Sequence, residues 1–271
     1  MFYHTPLAAF CTYCVGQMMR IPIPRFLRPL VYARFARYFG ISVEEAEYSF
    51  TSYRTLDAFF TRALKPSCRP ISFDPHHVVS PVDGKLIAFG KIVEGQLIQA
   101  KGLHYSVEAL TQQNTVTFDS GFFATFYLSP SDCHRVFSPL FARLDVATWI
   151  PGALLPVREP YISQYSGLYS KNERVVMSFS SQKGQMDMVM VGAFNVAHVS
   201  FCDVIDAPFI FRGPGRSKRS AVIEKDVKVG EWVSTFHLGS TVILLFENTG
   251  ISFDSLALGK HYKYGEKIGS F

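Results

Sequence analysis

Serine is a weak structural choice at position 240. It follows Gly239 in the stretch FHLGSTVILLFE, Phe236 to Glu247, and opens one of the most apolar runs of the chain, where Val or Thr would pack better. The glycine before it costs backbone entropy. Two accounts of the Gly239-Ser240 step stand: a bend that feeds a buried strand, or a peptide bond meant to be broken. Side chains suited to proton transfer lie elsewhere. Asp83 sits in SPVDGKL, a strong turn signal in which an Asp side chain commonly bonds backbone N–H groups. His134 sits in SPSDCHRVFSP, near Asp132 and Arg135, on a proline-bracketed loop after an apolar strand. His237 and His198 neighbour glycine or apolar strands, and a lone histidine of this kind is more often a hydrogen-bonded structural residue than a catalyst. No G-x-S-x-G elbow, Walker loop, H-E-x-x-H helix or G-x-G-x-x-G turn is present, so hydrolase, nucleotide and zincin readings lose their usual support.

The elements that must carry these residues read as an α+β fold. Residues 1 to 65 look helical: YRTLDAFFTRAL places Leu56, Phe59, Phe60 and Leu64 at helical spacing, and the prolines of KPSCRPISFDP stop it. From 66 to 271 the chain reads as a β-rich core of short runs cut by Gly and Pro: VVSPVDGKLIAFGKI, GFFATFYLS, FARLDVATWIPG, RVVMSFS, MDMVMVGAFNVAHVSF and TVILLFE. FRGPGRSKRS, with Arg212, Arg216, Lys218 and Arg219, reads as an exposed loop.

At 48% hydrophobic and 18% charged residues the chain is no disordered segment, and its length can bury roughly three quarters of its unfolded surface. The net charge of +5 is unevenly placed, because residues 1 to 43 hold Arg20, Arg25, Arg28, Arg34 and Arg37 and no acid. With Phe26, Leu27, Leu30, Val31, Phe35, Tyr38 and Phe39 this segment suits an anionic membrane surface. A helix packed on the domain with its arginines in water explains it equally well. No stretch reaches 18 uninterrupted apolar residues, and the apolar start has no basic residue before it, so the expected place is the cytoplasm. The five cysteines lack framework spacing, and the lone Cys11-x-x-Cys14 has no second pair or His cluster, so thiols in a reducing compartment are expected and no metal site.

Taken in order, SYRTLDAFFTRALKPSCRPI, SPVDGKLIAFGKI, LIQAKGLHYSVEALT, FYLSPSDCHRVFSP, IPGALLPV, KNERVV, VGAFNVAHVS and FHLGSTVILLFE resemble the phosphatidylserine decarboxylase family, over about Tyr38 to Glu247. The resemblance, to the prokaryotic-type members, implies a self-processing proenzyme cut at the L-G-S-T signature, Leu238 to Thr241, into a large chain (1–239) and a small chain (240–271). Ser240 Oγ would attack the Gly239 carbonyl, and elimination from the resulting ester would turn Ser240 into a pyruvoyl group. That ketone forms a Schiff base with the amine of phosphatidylserine and accepts the electrons released with CO₂, giving phosphatidylethanolamine without metal or pyridoxal phosphate. The resemblance further implies a homodimer peripheral to the cytoplasmic face of an anionic membrane, with no nucleic acid partner.

In the family, an Asp matching Asp83 and a His activate the serine. The usual motif is H-R-x-H-x-P. Its first His matches His134, associated with decarboxylation, whereas its second, the self-cleavage base, falls on Phe137. Ser234 and Thr235 also replace a usual Gly and Arg. Three outcomes stay open: His134 serves both steps, His237 or His198 has taken over, or cleavage is slow or absent. The competing readings are an uncleaved lipid-binding homologue and a pyruvoyl decarboxylase of a soluble amino acid.

Overall fold

The computed structural model describes residues 6–271 apart from 101–102, 114–115, 159, 194–198, 203–204, 206–216, 238, 249 and 254–255. Helices are α1 (Pro6–Met19), α2 (Arg28–Phe39), α3 (Leu56–Phe60), α4 (Val107–Thr111), α5 (Tyr161–Gln164) and α6 (Leu168–Lys171). The strands are β1 (His77–Val79), β2 (Gly84–Lys91), β3 (Gln96–Ala100), β4 (Leu103–Ser106), β5 (Phe122–Leu128), β6 (Arg135–Phe137), β7 (Ala142–Ile150) and β8 (Arg174–Ser181). They continue with β9 (Gly184–Val191), β10 (Val199–Phe201), β11 (Arg219–Val227), β12 (Trp232–Phe236), β13 (Ser240–Phe246), β14 (His261–Tyr262) and β15 (Lys267–Ser270). The β-rich core with helices at its N-terminal end is the α+β arrangement expected.

An eight-stranded antiparallel sheet runs in the order β11-β7-β8-β9-β13-β5-β2-β14, and a three-stranded sheet in the order β10-β12-β6. β13 is held by β5 on one edge and β9 on the other. Every residue from Ser240 to Phe246 is buried, so both sheet faces are covered there, and the run is continuously apolar rather than alternating. Burial of Val242, Ile243, Leu244, Leu245 and Phe246 contributes about 1.5–3 kcal/mol each.

The first 65 residues are less helical than their composition suggests. Gly40 ends α2 in the left-handed conformation at φ 70°, and residues 41–55 form turns and an isolated bridge between Ala46 and Leu64. The helix expected to reach Leu64 stops at Phe60, after Thr55 has capped its start by accepting from the Ala58 N–H at 3.0 Å. Thr61 then turns its hydroxyl back onto the Asp57 carbonyl. α2 buries Tyr32 and Ala36 against Phe59 and turns Leu30, Arg34, Arg37 and Tyr38 outward. Arg219 lies in β11 rather than in a loop, exposed like Ser217 and Lys218 before it, while Arg212 and Arg216 lie outside the described residues.

Candidate active site

Ser240 lies at a seam between the two sheets. β12 belongs to the three-stranded sheet and ends at Phe236; β13 belongs to the large sheet and begins at Ser240. The chain therefore passes from one sheet to the other between Phe236 and Ser240. The neighbouring segment makes the same crossing, since β5 ends at Leu128 and β6 begins at Arg135. The two crossings run antiparallel side by side, with Ser240 opposite Leu128, Thr235 opposite Arg135, and the Phe236 N–H donating to the His134 carbonyl at 2.9 Å. Pairing of the strands thus sets His134 opposite Phe236, four residues before Ser240.

Neither residue of that link is explained by packing. Gly239 has no positive φ, and among the described residues a Cβ added there would meet only the Leu128 carbonyl oxygen at 3.9 Å. At Gly121, by contrast, an added Cβ would overlap the Phe246 carbonyl oxygen. Ser240 is wholly buried, and its Oγ has no hydrogen-bond partner among the described residues. An unmet hydroxyl in such a place costs about 1–3 kcal/mol.

His134 is also wholly buried, with the Phe60 ring 4.0 Å from its own. Its Nδ1 lies 3.0 Å from the Asp132 carbonyl oxygen, which only accepts, so Nδ1 carries the proton and Nε2 is left as a bare lone pair without a partner among the described residues. Burial lowers its pKa to about 3 despite that hydrogen bond, so the ring is neutral at physiological pH. Asp132 fixes the loop, accepting from the Ser129 N–H at 2.7 Å through Oδ2 and facing His261 Nε2 at 2.8 Å through Oδ1.

Asp83 is buried in another pairing. Arg69 Nε and the Tyr264 N–H both donate to its Oδ1 at 2.9 Å, and Arg69 also bridges to Glu45. Phe137 is fixed beside this segment by its N–H, which donates to the Pro81 carbonyl at 2.8 Å, and its ring stacks on Tyr264 at 3.9 Å and 16°. An aromatic stack with Leu64 and Cys133 around it fills position 137, where no proton can be accepted. His237 lies on the sheet-to-sheet link, with Nδ1 2.8 Å from Asp57 Oδ1 and Nε2 2.9 Å from Ser200 Oγ. Arg20 Nε approaches the other Asp57 oxygen at 3.5 Å. His198 lies outside the described residues.

The structure therefore sets His134 opposite Phe236, places His237 just after β12 on Asp57 and Ser200, and ties Asp83 to Arg69. Asp57, Arg69, Tyr264 and His261 are the participants that sequence reasoning missed. Only Asp57 carried a local signal, as an acid in the first turn of α3, and that signal is structural. Cys11 and Cys14 are half-buried, and among the described residues no group of three His, Cys, Asp or Glu side chains is placed to hold a metal ion.

Comparison with known proteins gives this geometry a family. The family model described as phosphatidylserine decarboxylase matches residues 56–270. A phosphatidylserine decarboxylase proenzyme of Myxococcus xanthus (strain DK1622) is 35% identical over 268 residues, covering 97% of this chain and 94% of the relative. One from Anaeromyxobacter sp. (strain K) is 36% identical over 94% of this chain and 92% of the relative, and one from Shewanella amazonensis (strain ATCC BAA-1098 / SB2B) is 37% identical over 80% and 78%. With the matched region running from the start of α3 through Ser240 to the last strand, the chain belongs to the phosphatidylserine decarboxylase family.

Proposed function

We propose that the chain is a proenzyme that cuts itself between Gly239 and Ser240 and then decarboxylates phosphatidylserine to phosphatidylethanolamine. The observation that carries this reading is the buried hydroxyl of Ser240, unpartnered among the described residues and placed after a glycine that neither φ nor packing against those residues requires. Attack of Oγ on the Gly239 carbonyl carbon moves the acyl group from nitrogen to oxygen, and the freed nitrogen takes the proton. Loss of the Cα proton then breaks the Cβ–O bond, residue 239 leaves as a carboxylate, and water releases ammonia to leave a ketone at 240. That pyruvoyl group supplies an electron sink for the carboxylate lost from an amine-bearing substrate. The site accommodates it: a small polar group already occupies the position, sealed from solvent at the seam. His134, neutral and with its Nε2 lone pair free of a partner among the described residues, holds substrate protons beside it.

Intact mass of purified protein tests this. Two chains are expected, 1–239 and a blocked chain starting at residue 240, with water gained and ammonia lost in their summed mass; a single uncut mass after prolonged incubation overturns the reading. The Phe137–Tyr264 stack is what favours the uncut lipid-binding alternative, and the same measurement decides it.

We further propose that the enzyme works at an anionic membrane surface, which the substrate's headgroup favours, as a peripheral protein on the cytoplasmic face and as the homodimer of cut chains that the family resemblance implies. No described helix is long and apolar enough to cross a membrane. Residues 10–38 instead expose Phe10, Met18, Phe26, Leu30 and Tyr38, with Phe26 81% and Tyr38 82% accessible. Of the five arginines in this segment, Arg25, Arg34 and Arg37 are exposed among these side chains. Arg28 is turned inward to the carbonyls of Ile23 and Thr51, and Arg20 to Asp57. Three free cations give about 3 kcal/mol of attraction to anionic lipid. Sedimentation with phosphatidylserine-containing vesicles is expected to weaken in high salt and to fall further in the Arg25→Glu, Arg34→Glu, Arg37→Glu triple variant; salt-insensitive or absent binding favours a soluble amino acid as substrate.

A further inference from the structure

We infer that His237, oriented by Asp57, is the base that activates Ser240 for self-cleavage in this chain. The inference rests on the proposed cut at Gly239-Ser240 and names the residue that drives it. Position 137, between the Asp83 segment and Tyr264, offers an aromatic ring that neither gives nor takes a proton. Asp83 has its own oxygens committed to the Arg69 guanidinium and the Tyr264 N–H, so among the described residues it orients no imidazole.

A second carboxylate and imidazole lie on the other side of the link. Asp57 can only accept, so the proton of His237 is on Nδ1, and Nε2 presents its lone pair. The Ser200 hydroxyl donates to that lone pair at 2.9 Å and keeps the ring oriented in the uncut chain. This is the carboxylate–imidazole–hydroxyl order that makes a serine nucleophilic, with the carboxylate stabilising the imidazolium as it forms. His237 directly follows β12 and lies three residues before Ser240, where β13 begins, so the step requires Nε2 to leave the Ser200 hydroxyl for that of Ser240. Among the described residues, the groups facing it include Asp57, the Arg20 guanidinium on the far side of that carboxylate, and neutral His134. His134 is the weaker candidate, because its Nδ1–H meets a backbone carbonyl instead of a carboxylate and the Phe60 ring lies against it.

In the step itself, Nε2 takes the proton from Ser240 Oγ as the Oγ–C bond to Gly239 forms. The imidazolium returns that proton to the Ser240 nitrogen as the C–N bond breaks, which leaves ester, amine and neutral His237.

Cleavage is followed by gel and intact mass on freshly translated full-length chain. His237→Gln is expected to cut at least about a hundredfold more slowly than wild type, the low end of what a general base contributes. His237→Ala is expected to regain cutting when imidazole is added. Asp57→Asn is expected to slow cutting about tenfold or more, with Asp57→Glu recovering part of the rate. Wild-type speed in His237→Gln overturns the assignment, as does arrest in His134→Asn with none in His237→Gln. Silence in His237→Ala that imidazole does not relieve makes the ring merely structural and also overturns it. If wild type never cuts, the proenzyme reading has failed and this inference falls with it; if wild type cuts and releases CO₂ while His237→Gln does the same, only the base is wrong.

Discussion

Ser240→Ala is expected to give a single uncut chain that releases no CO₂ from phosphatidylserine and yet melts at a higher temperature than the uncut wild-type precursor. The two effects have one cause. In the precursor the Ser240 hydroxyl is wholly buried among apolar strands with no acceptor or donor among the described residues, so removing it recovers about 1–3 kcal/mol of desolvation while leaving only a small void. The same atom is the sole nucleophile proposed for the cut. Stability and function pull apart at this residue, as they commonly do where a site is built against the preferences of the fold. Scanning calorimetry of Ser240→Ala beside a slow-cutting precursor such as His237→Gln, with a CO₂-release assay, measures both effects. A variant that is less stable than the precursor, or that still decarboxylates, refutes the argument.

Asp187→Asn is expected to stabilise the protein at neutral pH and to flatten the dependence of stability on pH between about 4 and 7. Asp187 lies in β9 beside β13, opposite Ser178 on one side and Leu245 on the other, with Oδ2 buried and unpartnered among the described residues. Burial pushes its carboxyl up to about 7. Because the folded pKa lies above the unfolded value, the folded state binds the extra proton. Its contribution is greatest below the unfolded pKa and is lost as pH rises through the folded one. The full difference is at most about 4 kcal/mol, one unit being worth 1.36 kcal/mol. Burial raises Glu173 to about 7 as well, so the Asp187→Asn variant keeps part of the slope. Urea unfolding of wild type and Asp187→Asn at pH 5 and pH 8 is the measurement; equal slopes in the two proteins would show that Asp187 is not held protonated.

Much of the fold was legible because its signals are local. The apolar run after Ser240 is the buried strand β13, GFFATFYLS is β5, and RVVMSFS is β8, each bounded where Gly, Pro or polar residues break the run. The bend before β13 was legible too, and both accounts of Gly239-Ser240 survive in one structure: the link is a crossing between sheets, and its residues are not those a crossing needs. What stayed hidden is long-range pairing. His237 meets Asp57 across 180 positions, and Asp83 meets the Tyr264 N–H across 181. Neither partner has a spacing that announces the other. The helical reading of residues 1–65 failed in 41–55 for the opposite reason, since Gly40 and the Ser and Thr residues there bond the backbone locally and compete with the helix.

The position of β13 sets the fate of a cut molecule. Residues 240–271 supply an inner strand of the large sheet, laced to β5 and β9 on both edges, along with β14 and β15. Scission at Gly239 removes one covalent link and none of those ladders, so the fragment stays woven in. The whole polypeptide must assemble first, because only a finished sheet holds the seam together, and the interlaced pair, once melted apart, has lost the tether that guided its first assembly. On the proposed cut, maturation is a one-way door: the molecule would fold as one chain and afterwards survive as two that have no simple route back.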